Sequence, residues 1–158
     1  MKTAGIVLAL VLGASLIAPS GAQVPPMPLP DCISRLGLRM FKSALEESGV
    51  VKELAGKGPY TVFAPSNSAI VMMEKGRFDA LKKDKKALAT WVKSHIAKGV
   101  ITGADLGKMK NMGTIQTLAG PVKVQTKGTL LVNGAKPYMA DQKATNGIVH
   151  MMDRPLAK

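Results

Sequence analysis

Two kinds of residue periodicity divide this chain near its middle, and they constrain its fold more than any other feature. In the first half, apolar residues recur at helical spacing over 41–51 and again over 84–99. From residue 113 onward the pattern changes to short runs rich in β-branched residues. Helices that come first and strands that come afterwards predict an α+β domain.

The second helical pattern carries clear start and stop signals. Asp84 is expected to cap its beginning, because a carboxylate accepts hydrogen bonds from free backbone N–H groups. Leu88, Trp91 and His95 lie on one face at helical spacing, and Gly99 is expected to end the helix as a left-handed cap. On this apolar face His95 is predicted to be a hydrogen-bonded core residue.

The predicted strands are short and separated by turn residues. The first covers residues 60–64 and is halted by Pro65, after which Ser66 or Asn67 is expected to cap a short helix. Asn133-Gly134 predicts a hairpin turn, because both positions of such a turn need positive φ. The later strands are expected at 113–117, 122–126, 129–132, 136–140 and 148–152.

The N-terminus predicts export. Residues 6–17 form an apolar run after Lys2, and small residues follow up to Ala22, as in a cleaved signal peptide. The run is shorter than the roughly 20 residues that a membrane-spanning helix needs. We therefore expect a signal peptide at 1–22, an extended Pro-rich linker at 23–31 and one domain at 32–158, with no transmembrane segment after signal removal.

Export changes the meaning of the net charge. The chain has 22 Lys plus Arg against 10 Asp plus Glu, a net charge of +12, which by itself suggests nucleic acid. An exported chain does not meet chromosomal DNA, so a secreted or periplasmic location argues against that partner. The single Cys32 rules out an internal disulfide, and no chemistry is assigned to it.

Two segments carry a family resemblance. Residues 41–70, FKSALEESGVVKELAGKGPYTVFAPSNSAI, resemble the first signature block of fasciclin domains, typically TVFAPTNxAF. Residues 132–156, VNGAKPYMADQKATNGIVHMMDRPL, are similar to the second block, NG followed by D and then NGxIHxID. Ile70 replaces the usual Phe of the first block, and Ser94 stands where a Tyr often precedes the histidine.

The resemblance implies a fold and a function. The fold would be a wedge of two small β-sheets with several helices along one side, and the function extracellular or periplasmic adhesion, without catalysis or cofactor. Turn and cap chemistry explains the signature residues, so we expect them to be mainly structural. They are Thr61, Phe63, Pro65, Asn67, His95, Asp141, Asn146, Gly147 and His150.

The sequence lacks a convincing enzyme site. A serine hydrolase needs a nucleophile, a histidine and a carboxylate in activating geometry. Ser66 lies in APSNSA, without the Gly-x-Ser-x-Gly elbow. His150 shares a strand face with Ile148 and Met152 by the two-residue period and is predicted to be a core residue.

Methionine supports an alternative function, a periplasmic copper-binding protein. Thioether and imidazole groups suit Cu(I), and Met is abundant in this chain, whereas Met also fills core gaps where aromatics are scarce. The candidate ligands are Met72, Met73, Met109, Met112, Met139, His150, Met151 and Met152. No metal site is assigned from these residues.

A dense group of lysines predicts a binding surface. Lys82, Lys83, Lys85 and Lys86, here called the lysine patch, precede the second helix, close in sequence to Lys75 and Arg77. Most charge runs are solvated helix faces, but the excess here favours attraction to anionic surfaces. The expected partners are an acidic polysaccharide, anionic lipid headgroups, or a cell-surface or matrix protein.

Overall fold

The computed structural model describes residues 27–56 and 58–157. Within them the helices are α1 (Leu29–Arg35), α2 (Arg39–Ser48), α3 (Val51–Leu54), α4 (Asn67–Val71), α5 (Arg77–Lys83), α6 (Lys85–Lys93) and α7 (Gly103–Lys108). The strands are β1 (Tyr60–Pro65), β2 (Ile96–Lys98), β3 (Gly113–Thr117), β4 (Gly120–Gln125), β5 (Leu131–Val132), β6 (Pro137–Ala144) and β7 (Gly147–Met152). The α+β class is confirmed. The predicted signal peptide at 1–22 lies outside the described residues.

Helix α1 corrects the prediction of an extended tether. Of the Pro-rich segment, residues 23–26 lie outside the described part of the chain, but Leu29 and Pro30 already belong to α1. Proline is tolerated there because the first turn of a helix has no partner for its N–H groups. Asp31 adds a negative charge at the positive end of the helix, and Leu29 is fully buried.

Helix α2 forms as its pattern predicts. Phe41, Ala44 and Leu45 are buried on one face, and Gly49 ends the helix in the left-handed conformation at φ 78°. The predicted helix at 84–99 is shorter than expected. Asp84 caps α6, but the helix ends at Lys93, and Gly99 follows strand β2 instead of closing a helix.

Seven strands of the described chain form one sheet in the order β5-β4-β3-β2-β1-β7-β6. β1 pairs in parallel with β7 from Tyr60 with Gly147 to Pro65 with Met152, and β1 also pairs antiparallel with β2. β2 joins β3 through the single pair Ala97 and Thr117, so the sheet is narrowest there. The two small sheets expected from the resemblance are thus continuous here.

The Asn-Gly turn forms, but the predicted hairpin does not extend beyond it. Asn133 and Gly134 have φ 49° and 84°, and Val132 bridges Ala135. Beyond that bridge the flanking strands separate: β5 pairs with β4 at one edge of the sheet and β6 with β7 at the other. The turn is a local property, whereas the strand partners are not.

The buried residues form two clusters, one on each side of the β1–β7 pair. The helix-side core is built around α1, α2, α3 and α6, and the strand-side core around β3, β4 and α7. Adjacent residues of β1 face different clusters, because Val62 belongs to the helix-side core and Phe63 to the strand-side core. β1 and β7 are therefore buried on both faces.

Candidate functional site

The lysine patch lies at the junction of α5 and α6. Lys82 and Lys83 form the last turn of α5, and Lys85 and Lys86 the first turn of α6. Between them the Asp84 carboxylate accepts hydrogen bonds from the backbone N–H groups of Lys86, at 2.9 Å, and Ala87, at 3.2 Å. The helix ends at this junction thus place four exposed lysines within five consecutive residues.

One lysine of the patch is already paired. The Lys82 Nζ lies 3.0 Å from Oε1 of Glu47 on α2 and 6.0 Å from the Phe78 ring centroid. The hydrogen bond from Ser43, followed by that from Lys82, lowers the pKa of Glu47. The other three lysines form no ion pair with a described residue, so they are available to an anionic partner.

Thr61, a signature residue of β1, forms hydrogen bonds with two backbone groups. The Thr61 hydroxyl donates to the Gly99 carbonyl at 2.7 Å and accepts from the Ile101 N–H at 2.8 Å. Phe63 is fully buried and Pro65 is the last residue of β1. These contacts attach the residues after β2 to the centre of the sheet.

The two residues after β1 have different hydrogen-bonding roles. Ser66 Oγ accepts from the Ala69 N–H at 3.0 Å and caps α4. The Asn67 amide instead joins α4 to the start of α2: Oδ1 accepts from the Met40 N–H at 3.1 Å, and Nδ2 donates to the Gly37 carbonyl at 2.8 Å. Ser66 is occupied by this cap and has no histidine among its hydrogen-bond partners in the described structure.

In the second signature block, Asn146 also forms hydrogen bonds with backbone groups, and Gly147 allows a close contact between strands. Asn146 Oδ1 accepts from the Leu29 N–H at 2.8 Å, and its Nδ2 donates to the Leu54 carbonyl, so it joins α1 and α3 to the β6–β7 turn. Gly147 lies against β1 so closely that an added Cβ would be 1.9 Å from the Tyr60 carbonyl oxygen. Only glycine fits there.

Asp141 makes the equivalent connection to α7. It lies at a bulge of β6 with φ 60°, a left-handed conformation that Asp tolerates. Its Oδ1 accepts from the N–H of Gly103, the first residue of α7, at 2.8 Å. The carboxylate therefore satisfies one of the free donors at that helix end.

His95 is buried between two aromatic rings, 4.6 Å from the Trp91 centroid and 5.6 Å from that of Phe41. Its Nε2 accepts from the Leu156 N–H at 2.9 Å, so the proton is on Nδ1, which donates to the Trp91 carbonyl at 2.7 Å. Burial lowers its pKa to about 4, so the ring is neutral at pH 7.

His150 is the corresponding buried imidazole of the strand-side core. Its Nδ1 accepts from the Asp141 N–H at 3.2 Å, and Nε2–H donates to the Ile101 carbonyl at 2.6 Å. The ring stacks on Phe63 with centroids 5.4 Å apart. Burial lowers its pKa, while the hydrogen bond to Ile101 and the Asp141 charge raise it. Both ring nitrogens of each histidine are thus used by the backbone.

The candidate copper ligands are divided between the surface and the two cores. Met72, Met112 and Met139 are exposed, whereas Met151 and Met152 are buried in different cores. Because both nitrogens of His150 are engaged, thioethers alone would have to bind the metal. Among residues 27–56 and 58–157, no three His, Cys, Asp or Glu side chains are grouped as a metal site.

A cleft that the sequence does not reveal lies beside the last residues of the chain. This C-terminal cleft has a volume of about 540 Å³. Its lining residues are Met73, Glu74, Arg77, Asn133, Gly134, Arg154, Pro155, Leu156 and Ala157. Sequence adjacency places Arg77 with the lysine patch, but in the fold Arg77 lines this cleft, whose lining within residues 27–56 and 58–157 includes no lysine. The α4–α5 loop, the Asn-Gly turn and the C-terminal segment meet only in three dimensions.

Within the described part of the chain, no helix is long and apolar enough to cross a membrane. A family model for the fasciclin domain matches residues 36–158. Transforming growth factor-beta-induced protein ig-h3 of Sus scrofa is 30% identical over 118 residues, which are 74% of this chain and 17% of that protein. This chain thus spans about one sixth of the length of that relative.

Two further similarities bear on fold and activity. A pair of FAS1 domains from the insect cell adhesion molecule fasciclin I superposes with a TM-score of 0.61 at 20% identity, over 77% of this chain and 45% of that one. "Heme ligase" of Plasmodium falciparum is 27% identical over 144 residues, 75% of this chain and 70% of that protein. The first similarity shows the fold, and the name of the second describes that protein alone.

Proposed function

This chain belongs to the fasciclin domain family, and from that membership we propose that it is an exported, non-enzymatic module that binds anionic polysaccharide or protein at a cell surface or matrix. Similarity to transforming growth factor-beta-induced protein ig-h3 and to solved domains of a cell adhesion molecule supports adhesion as the general role. The apolar run at residues 6–17 supports export.

The observation that carries the proposal is the lysine patch. Lys83, Lys85 and Lys86 are exposed at one helix junction and form no ion pair with a described residue. The net charge of +12 adds a long-range field that attracts anionic partners. Several ammonium groups that act together on one polyanion gain more than an isolated surface pair, which contributes about 0–1 kcal/mol.

The signature residues support a binding module over an enzyme. Ser66 caps α4, and both nitrogens of His95 and of His150 are bound to the backbone. A histidine that acts as a general base needs a ring nitrogen that can reach a substrate proton. Neither histidine offers one in this arrangement, so we propose no catalytic role for them.

Retention on immobilised heparin, used as a probe polyanion, tests the patch. We expect the protein to be retained at low salt and to elute as salt screens the field, whose range is about 10 Å at 0.1 M. Replacing the four patch lysines by Gln should move elution to clearly lower salt.

A matched variant controls for net charge. Lys108, Lys110, Lys123 and Lys127 are exposed and lie outside the patch, so their replacement by Gln removes the same charge. Elution that shifts equally in the two variants would show that net charge, not the patch, binds the column. Elution of the patch variant like the unmodified protein would overturn the placement.

A further inference from the structure

The C-terminal cleft combines an apolar lining with two guanidinium groups. Met73, Pro155 and Ala157 supply apolar surface, while Arg77 enters from α5 and Arg154 from the segment after β7. A volume of about 540 Å³ lies within the 300–1,000 Å³ typical of small-molecule sites. An apolar cavity with a few convergent polar groups is the usual form of such a site.

The cleft continues into a second hollow. That hollow has a volume of about 320 Å³ and shares Met73, Arg154 and Pro155 with the cleft. It adds Met72, a residue that is 84% exposed. Arg154 therefore lies where the two hollows meet, with apolar surface on both sides.

Both guanidiniums keep unused donors. Arg77 Nη1 is 3.9 Å from Oε2 of Glu74, a carboxylate that is 82% exposed, and Arg154 Nε is 3.4 Å from Oδ1 of Asp153. Neither arginine side chain donates any other hydrogen bond to a described residue. Since a guanidinium has five N–H donors in a planar fork, most of this capacity remains free for a planar carboxylate.

We propose that the C-terminal cleft binds an amphipathic carboxylate, a ligand with one carboxylate group and a flexible apolar chain. The carboxylate lies between Arg77 and Arg154, and the chain follows Met73 toward Met72. An acidic polysaccharide would pair with the arginines but leave the apolar lining without a partner. This site is separate from the lysine patch, and it does not depend on the proposed function.

Calorimetric titration of the purified protein with dodecanoate, below its micelle concentration, tests the site. We expect saturable binding at one site, weakened about tenfold in Arg77→Gln and in Arg154→Gln, since each loses a charged hydrogen-bonding group. Arg39→Gln changes an exposed arginine on α2 that does not line the cleft and should bind as the unmodified protein does.

Two variants test where the carboxylate and the apolar chain of the ligand lie in the cleft. Glu74→Gln removes the carboxylate that competes for Arg77, so binding should tighten. Met72→Gln should weaken binding of dodecanoate more than binding of the shorter octanoate, because only the longer chain reaches the second hollow. Met112→Gln, an exposed methionine elsewhere, is the matched control and should leave both affinities unchanged.

The proposal fails on any of three results. One is the absence of saturable binding, and another is equal binding of dodecanol, which would show an apolar surface without carboxylate recognition. The third is unchanged affinity in the double variant of Arg77 and Arg154. The lysine-patch variant should bind dodecanoate normally, so failure of this proposal and failure of the proposed function are distinguishable.

Discussion

The two cores of this domain each contain one buried histidine. Each ring forms hydrogen bonds with one backbone N–H and one backbone carbonyl, but the two rings do so as opposite tautomers. His95 in the helix-side region holds its proton on Nδ1 and accepts at Nε2, whereas His150 in the strand-side region accepts at Nδ1 and donates from Nε2. In both, one backbone N–H and one carbonyl are satisfied at once. A neutral imidazole is suited to this, because it is a donor and an acceptor on one rigid ring.

The surroundings of the rings differ. His95 lies among aromatic rings, and the largest influence on its pKa is burial. His150 has the Asp141 carboxylate nearby, which opposes the lowering of its pKa by burial. His95 therefore holds the C-terminal segment through a hydrogen bond among aromatic rings, whereas His150 forms its hydrogen bonds beside a carboxylate.

The largest loss of stability should come from a substitution between β1 and β7, the strands that both cores share. Gly147→Ala would place a Cβ 1.9 Å from the Tyr60 carbonyl oxygen, so β1 and β7 must separate. We expect a loss of about 3 kcal/mol or more in the free energy of unfolding, measured by urea titration. Both cores should loosen together, because β1 and β7 line each of them.

Gly107→Ala is the matched control for this change. Nothing lies within 4 Å of an added Cβ in α7, and alanine favours a helix over glycine. Its unfolding free energy should stay constant or rise by about 0.5–1 kcal/mol. Equal destabilisation in the two variants would contradict the role given to the β1–β7 contact.

The contribution of His95 to the free energy of unfolding should depend on pH. His95 has a pKa of about 4 when folded and about 6.5 when unfolded, so the unfolded chain binds more protons between these values. Its contribution to stability is complete above about pH 6.5 and is lost as pH falls toward 4, a decrease of about 3 kcal/mol. His95→Gln should be less stable at pH 7 and should lack this part of the pH dependence. Urea unfolding of both proteins at pH 7 and pH 4 measures the difference, and parallel losses would refute the assignment.

Asn146 joins the helix-side region to the sheet by hydrogen bonds, and removing its side chain should reduce the free energy of unfolding less than the two changes above. Asn146→Ala leaves the Leu29 N–H and the Leu54 carbonyl without their partner, which we expect to reduce the unfolding free energy by about 2 kcal/mol. Asn111→Ala is the control, since the groups that Asn111 binds are exposed and can turn to water. A loss as large for Asn111 as for Asn146 would argue against this role.

Asp141 makes the corresponding hydrogen bond in the strand-side region, and its replacement should give the smallest loss of stability. Asp141→Ala removes an exposed hydrogen bond to Gly103 and places Ala at φ 60°, for a loss of about 1 kcal/mol. Asp141→Asn keeps the acceptor and removes the charge, so the pKa of His150 should fall further. NMR titration of His150 measures this shift, and an unchanged pKa would show that the carboxylate does not act on the ring.

Local features of this domain were predictable from the sequence. The cap at Asp84 and the left-handed Asn-Gly turn follow from neighbouring residues, because they depend on local hydrogen bonds and backbone preferences, and strand β3 at residues 113–117 lies where its β-branched run predicts it. The helix at 84–99 was overextended, since the spacing of His95 fits an apolar face but does not show that the chain turns into β2 after Lys93. The membership of the fasciclin domain family, indicated by two motifs, is confirmed.

The lysine patch was equally readable, because its four members are adjacent along the chain. The C-terminal cleft was not, because Met73, Arg77 and Arg154 come from segments that only the fold brings together. The sequence by itself thus determined helix α2, the Asn-Gly turn and the charge of this protein, but not α1, the end of α6 or strand β2. Only the tertiary structure decided which strands pair, which tautomer each histidine adopts and where a cleft opens, since these depend on contacts between residues far apart along the chain.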